Sequence, residues 1–240
     1  MEYVALGMAV FAGGIVSGFA GFAFSAVAGA ILLHFLPPMQ AIPLMMMCSI
    51  ASQMTSIAML RKCVVWNESA SLLIGGVLGV PIALYLLTLI QPNLFRIGFG
   101  MFLASYALYM LVKPVAAAGR VGGGPMTSSI VGFVGGFLGG LTAMPGALPA
   151  IWCDLRGVPK EHQRGVVQPF ILGMQVFALA LMLMNPGVIN RTLLVSVGLA
   201  LPTLAAGTLI GVTLFGRVDD QRFRIVVLGL LLVSGVVMIH

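Results

Sequence analysis

Charge is what this sequence has least of. Only 8% of its 240 residues are Asp, Glu, Lys or Arg, against about 25% in soluble domains, and residues 3–60 carry none. So few charges cannot cover a soluble surface, and the chain reads as a polytopic membrane protein. The acidic residues, Glu2, Glu68, Asp154, Glu161, Asp219 and Asp220, all fall in loops or at segment ends. That leaves no mid-membrane carboxylate for a proton relay or a cation site. Enzyme constellations are missing as well: no HExxH, no GxSxG with partners, no phosphate-binding loop. Cys48, Cys63 and Cys153 show no CxxC and no metal spacing. They read as small structural residues, with a thiol relay for a sulfur substrate as the alternative. The opening Met-Glu-Tyr-Val-Ala lacks a basic n-region and reads as mature sequence. No cofactor is expected.

What is present is 60% hydrophobic and rich in glycine. Apolar runs predict a glycine-rich segment over 3–36, helices near 40–60, 69–90 and 95–112, and a Gly/Ala linker at 115–126. A second glycine-rich segment follows at 128–153, then helices near 165–184, 192–215 and 223–239. Glycine costs a helix interior about 1 kcal/mol and proline about 3. The second segment holds six glycines and two prolines between Ser128 and Cys153, so it predicts two half-helices meeting near Gly139–Pro145. The first, as one helix, would run about 50 Å against a hydrocarbon core of roughly 30 Å. Its middle, from Gly13 to Ser25, supplies the break. In lipid, broken backbone survives only where protein buries it or a cavity receives it.

The halves match at an offset of 121, which takes Gly14 to Gly135, Gly18 to Gly139, Pro38 to Pro159 and Pro81 to Pro202. Phe95-Arg96-Ile97 recurs as Phe223-Arg224-Ile225. The expected fold is therefore all-α, with two repeats, 1–114 and 127–240, each a broken hairpin plus three transmembrane helices. Charge then sets the topology. If all eight segments cross, the twelve Lys and Arg divide seven to five. If the second glycine-rich segment enters and returns on one side, Arg61, Lys62, Lys113, Arg120, Arg156, Lys160, Arg164, Arg217, Arg222 and Arg224 share a face. Only Arg96 and Arg191 lie opposite, as the positive-inside rule expects. The net charge of +6 is then a set of membrane flanks rather than a nucleic-acid surface. Treating the first segment alike gives three crossings per half, inverted halves and both termini outside. Trp66 and Trp152 then fall near the cytoplasmic interface.

With no carboxylate and no cation at mid-membrane, the expected guest is an anion held by neutral donors. Helix N-termini supply these, each carrying about half a positive charge and several unpaired N–H groups. The candidate binding residues are Gly18, Gly21 and Ser25 at the first break and Gly139, Gly140 and Thr142 at the second. Gln53 and Gln175 join them from the following helices. Ser25 and Thr142 read equally as caps or back-bonded hydroxyls. The glutamines read equally as helix–helix glue; their offset of 122 differs by one from the repeat, a twist of about 100° on a helix. His34 and His162 read as surface residues that could also titrate during transport. The GxxxG spacings read as close helix packing, and Pro81 and Pro202 as matched kinks.

The run Gly132-Phe-Val-Gly-Gly-Phe-Leu-Gly-Gly-Leu-Thr142, then Pro145 and the helix over 168–183, resembles the TauE/SafE sulfite exporter family. The likeness covers essentially the whole chain. It implies a bacterial inner-membrane transporter of sulfite, sulfonates or related small organosulfur anions, working by alternating access. Membrane lipid, the anion, a coupling ion (proton or sodium) and a homo-oligomer are the partners this admits. An anion channel and a non-transporting scaffold subunit are the rival readings. The topology is open to a direct check: labelling at positions 125 and 157 should find both on one side of the membrane.

Overall fold

The computed structural model describes residues 2–59, 64–112, 124–184, 191–217 and 220–239, and all regular structure among them is helical. The elements are α1 (Glu2–Ala20), α2 (Phe24–Leu32), α3 (Pro38–Met59), α4 (Trp66–Leu87) and α5 (Pro92–Val112). They continue with α6 (Pro125–Thr142), α7 (Ala147–Leu155), α8 (Lys160–Leu183), α9 (Arg191–Phe215) and α10 (Asp220–Ile239). The order long helix, break, short helix, three long helices thus occurs twice. Proline opens α3, α5 and α6, where its fixed φ suits a first turn and its missing N–H costs nothing. Most of the expected linker, with Arg61, Lys62, Cys63, Lys113, Arg120 and Asp219, lies outside the described residues.

Both glycine-rich segments are broken. Gly21 stands at φ +84° and Ala143 at φ +54°, the left-handed region where a helix ends and the chain turns. Both breaks lie inside the stretches expected for them, Gly13–Ser25 and Gly139–Pro145, and the arms on either side are unequal. Each long arm has 19 or 18 residues and each short arm nine, about 28 and 13 Å at the helical rise. The breaks fall late because the glycines before them serve packing. The short arm folds back on the long one: Gly13 faces Phe24 and Ala28, and Gly135 faces Pro149.

The halves are interlocked. α1 packs along α9, and α6 along α4, each pair running in the same direction. Gly207 and Gly211 press on the backbone at Phe11, Ile15 and Phe19 as Gly75 and Gly79 press on Ser129, Phe133 and Phe137. From the other side, Gly14 and Gly18 sit on Leu204 and Thr208 as Gly132 and Gly136 sit on Leu72 and Gly76. These contacts correct the sequence register. Gly14 and Gly18 correspond to Gly132 and Gly136, an offset of 118, while α4 and α9 correspond at 132 (Gly75 to Gly207). The breaks correspond at 122 (Gly21 to Ala143). α6 therefore carries one extra turn, four residues, between its packing glycines and its break. Pro81 lies two residues after Gly79, and Pro202 five before Gly207, so the two prolines do not correspond.

α3 and α8 occupy the centre, each in contact with helices of the other half. Large apolar side chains cover the outside, among them Ile74, Leu78, Tyr85, Leu94, Leu199 and Ile210. Among the described residues, four helices, α3, α4, α8 and α9, are long and apolar enough to cross a membrane. An apolar surface this extensive is a lipid-facing one. In lipid the seams rest on van der Waals contact between backbones, so a side chain within them acts as an overpacking lesion. Gly79→Leu should lower stability by about 1–3 kcal/mol or prevent folding. Gly98→Leu, at a glycine with nothing within 4 Å, should be tolerated. Melting of the detergent-solubilised protein checks both.

Candidate functional site

The two breaks meet. Ser25, in the first turn of α2, donates from Oγ to the carbonyl of Ala143 at 2.6 Å, and Phe22 lies against Gly146. A chain leaving its helix exposes carbonyls that lipid cannot satisfy, and here those of Gly21 and Ala143 each receive an amide. Gln53 Nε2 donates to Gly21 O at 2.8 Å, and Gln175 Nε2 to Ala143 O at 3.0 Å. The glutamines and the break residues share one offset, 122. The expected 100° twist between the glutamines is therefore absent, because the breaks shifted with them. In both amides the oxygen, Oε1, is buried without a hydrogen-bond partner.

One cation reaches this place. The sequence put Arg164 among loop charges and left the region free of Lys and Arg. Instead it lies inside α8, only 4% exposed. Its Nη2 donates to Gly18 O at 2.7 Å, its guanidinium stacks 4.1 Å from the centre of the Phe215 ring, and Gly21 faces its Nε. Gln168, with its amide oxygen toward Arg164, accepts from Nε at 3.3 Å and Nη2 at 3.1 Å. A small cleft opens here, lined by Gly21, Phe22, Gln163, Arg164 and Gln168 together with Ala20, Ala150 and Val167. Its lining holds a cation and two amides but no carboxylate. The residues before α2 and α7, Ala23 and Gly146, make no side-chain cap. First-turn N–H groups of both short arms are thus left to other acceptors.

The remaining candidates sit differently. Ser25 is inside α2 rather than its cap. Thr142 ends α6 and returns its hydroxyl to Leu138 O at 2.7 Å, so it caps no N-terminus. Gly18 packs on α9, Gly140 on Ala83 of α4, and Gly139 on Pro145 in the break. The structure gathers Gly21, Ser25, Gln53 and Gln175 at the meeting point and leaves Gly139 and Gly140 in packing roles. His34 is exposed, while His162 meets Glu68 at 2.9 Å, beside the 3.3 Å Arg156–Glu68 ion pair. Trp152 is buried beneath the Arg156 guanidinium and Trp66 is exposed. Arg164 was legible as the start of a polar stripe, Arg164-Gln168-Gln175, spaced four and seven residues along one helical face.

The halves differ in polarity around this point. α3 buries Ser49, Ser52, Gln53 and Ser56, where offset 122 puts Ile171, Met174, Gln175 and Ala178 on α8. Thr208 donates to Ser52 at 3.1 Å, and Ser52 to Ser17 at 3.0 Å. At the matching place Met174 lies against Gly76. One seam is hydroxylic and its counterpart is apolar.

An interlocked bundle of long apolar helices, broken twice at its centre, is a multi-pass membrane protein. The family model for the sulfite exporter TauE/SafE matches residues 5–238, and the chain belongs to that family, a family of membrane transporters of sulfur-containing anions. No curated protein and no solved structure matches it.

The break residues are open to a paired test. Gly21→Ala puts a Cβ into left-handed backbone and against Arg164, and should destabilise by about 1–2 kcal/mol. Ala143→Gly should change little, since the relieved strain and the added unfolded-state entropy are each about 1 kcal/mol. Thermal melts of the two variants check this.

Proposed function

We propose that this chain carries small sulfur oxyanions, sulfite and small sulfonates, across the bacterial inner membrane by alternating access. The anion binds where the two breaks meet, at Gly21, Ser25, Gln53 and Gln175 with Arg164 as its charge partner, while Gly18, Gly139, Gly140 and Thr142 shape the helix ends around it. The observation that carries this reading is the Arg164 cleft at Gly21, a buried cation beside the start of a short helix. Guanidinium forks and helix N-termini both suit oxyanions.

The inverted arrangement of two repeats, 1–114 and 127–240 about the linker 115–126, has support in helix direction. α1 runs with α9, while α6 runs with α4. α8 also runs with α4: Val65 N–H donates to Gly165 O, Ser69 to Val166 O, and Leu73 lies by Gly173. Consecutive spanning helices α8 and α9 cross in opposite directions, so α1 and α6 oppose each other. Both termini are then periplasmic. Alternating access follows as movement of interlocked halves about the central α3 and α8, with a proton or sodium ion as the coupling ion.

Reconstitution tests the reading. Liposomes holding the protein should show saturable counterflow of labelled sulfite or a C2 sulfonate, and Arg164→Met should weaken it by tenfold or more, roughly the worth of a lost charged hydrogen bond. Ohmic current in place of counterflow would make the protein a channel. A melting screen in which sulfite, sulfate, thiosulfate and C2 sulfonates all leave the transition unmoved would favour a scaffold subunit.

A further inference from the structure

We propose that the site selects anions that are also hydrogen-bond donors: sulfur oxyanions keeping an O–H or N–H, such as hydrogen sulfite or a hydroxylated or aminated short sulfonate. This rests on the transport reading above and narrows it. The argument starts from the two glutamines. An amide has a donor end and an acceptor end, and hydrogen bonding alone decides which way it faces. At Gln53 and Gln175 the choice is forced. The backbone carbonyls of Gly21 and Ala143 accept only from Nε2; a turned amide would set oxygen against oxygen. Each Oε1 is thereby locked as an acceptor, and both are buried without a hydrogen-bond partner.

Buried acceptors without donors are costly and uncommon. Here the same one occurs twice, at matched places on α3 and α8, both glutamines 1% exposed. Neighbouring positions did not keep their polarity between the halves, since Ser52 answers to Met174 and Ser56 to Ala178. Helix packing alone therefore does not require oxygen at this level. Ser25 already donates to Ala143 O, so Gln175 is not the sole donor to that carbonyl. What the two glutamines share is a fixed acceptor at the meeting of the breaks. An anion with all its oxygens deprotonated would face these acceptors with lone pairs. Its negative charge can be met at Arg164 and the helix starts, while an O–H or N–H answers the amide oxygens. Sites built to bond a substrate hydroxyl or amine discriminate strongly against the analogue without it, because their polar groups are then left unpaired.

The test compares 2-hydroxyethanesulfonate with ethanesulfonate on the purified full-length protein at one pH, by the ligand concentration giving half the maximal melting shift. The hydroxylated compound should bind about tenfold tighter or better. In Gln175→Met the preference for the hydroxylated compound over ethanesulfonate should fall toward one, a readout that a purely structural role would not move. Wild-type protein alone decides the matter if that variant fails to fold. Equal affinity for the pair overturns the donor requirement and leaves the transport reading standing. Failure of both sulfonates, and of sulfite, to bind overturns that reading and this inference with it.

Discussion

Backbone in a bilayer has no water to turn to, and the whole arrangement depends on how that is met at two places. At Gly21 and Ala143 the helices stop inside a bundle whose exterior is aliphatic. Each exposed carbonyl is held by a glutamine from the helix that follows the short arm. The long arms reach the meeting point because glycine lets their backbones run directly along α9 and α4. The seams bring the breaks together, and the glutamines make them tolerable in lipid. Neither feature is useful alone.

The halves share this frame but not its lining. On one side, hydroxyls from α1, α3 and α9 form a buried row; on the other, Met174 fills the equivalent space against Gly76. Arg164 likewise comes from α8 to the break of the opposite half, at Gly18 and Gly21. Under the proposed anion reading such asymmetry would be useful: charge would be met on one side, leaving the amide acceptors of α3 and α8 to read the rest of the guest.

Both breaks, the order of elements and the family resemblance were legible in the chain, because glycine, proline and apolar run length act locally. The candidate glutamines were legible because a polar amide in an apolar run needs a partner. Their role at the break carbonyls was not, since the partners lie 32 residues away in each half. Arg164 was missed because, as the fifth residue of α8, it reads as a flank. Only the stripe it shares with Gln168 and Gln175 marked its face as inward. The register was misread for a related reason: matching glycines one by one ignores that α6 inserts a turn between its seam and its break.

Composition and local pattern by themselves determined a multi-pass helical membrane protein, two broken segments and the residues able to break them, since backbone propensity and the length of a bilayer are read from neighbours in sequence. Which glycines meet, which carbonyl each amide holds and where the Arg164 guanidinium ends up were decided only by the tertiary structure. Those pairings join α1 to α9 and α6 to α4, across the two halves, and no local rule of chain chemistry records such distances.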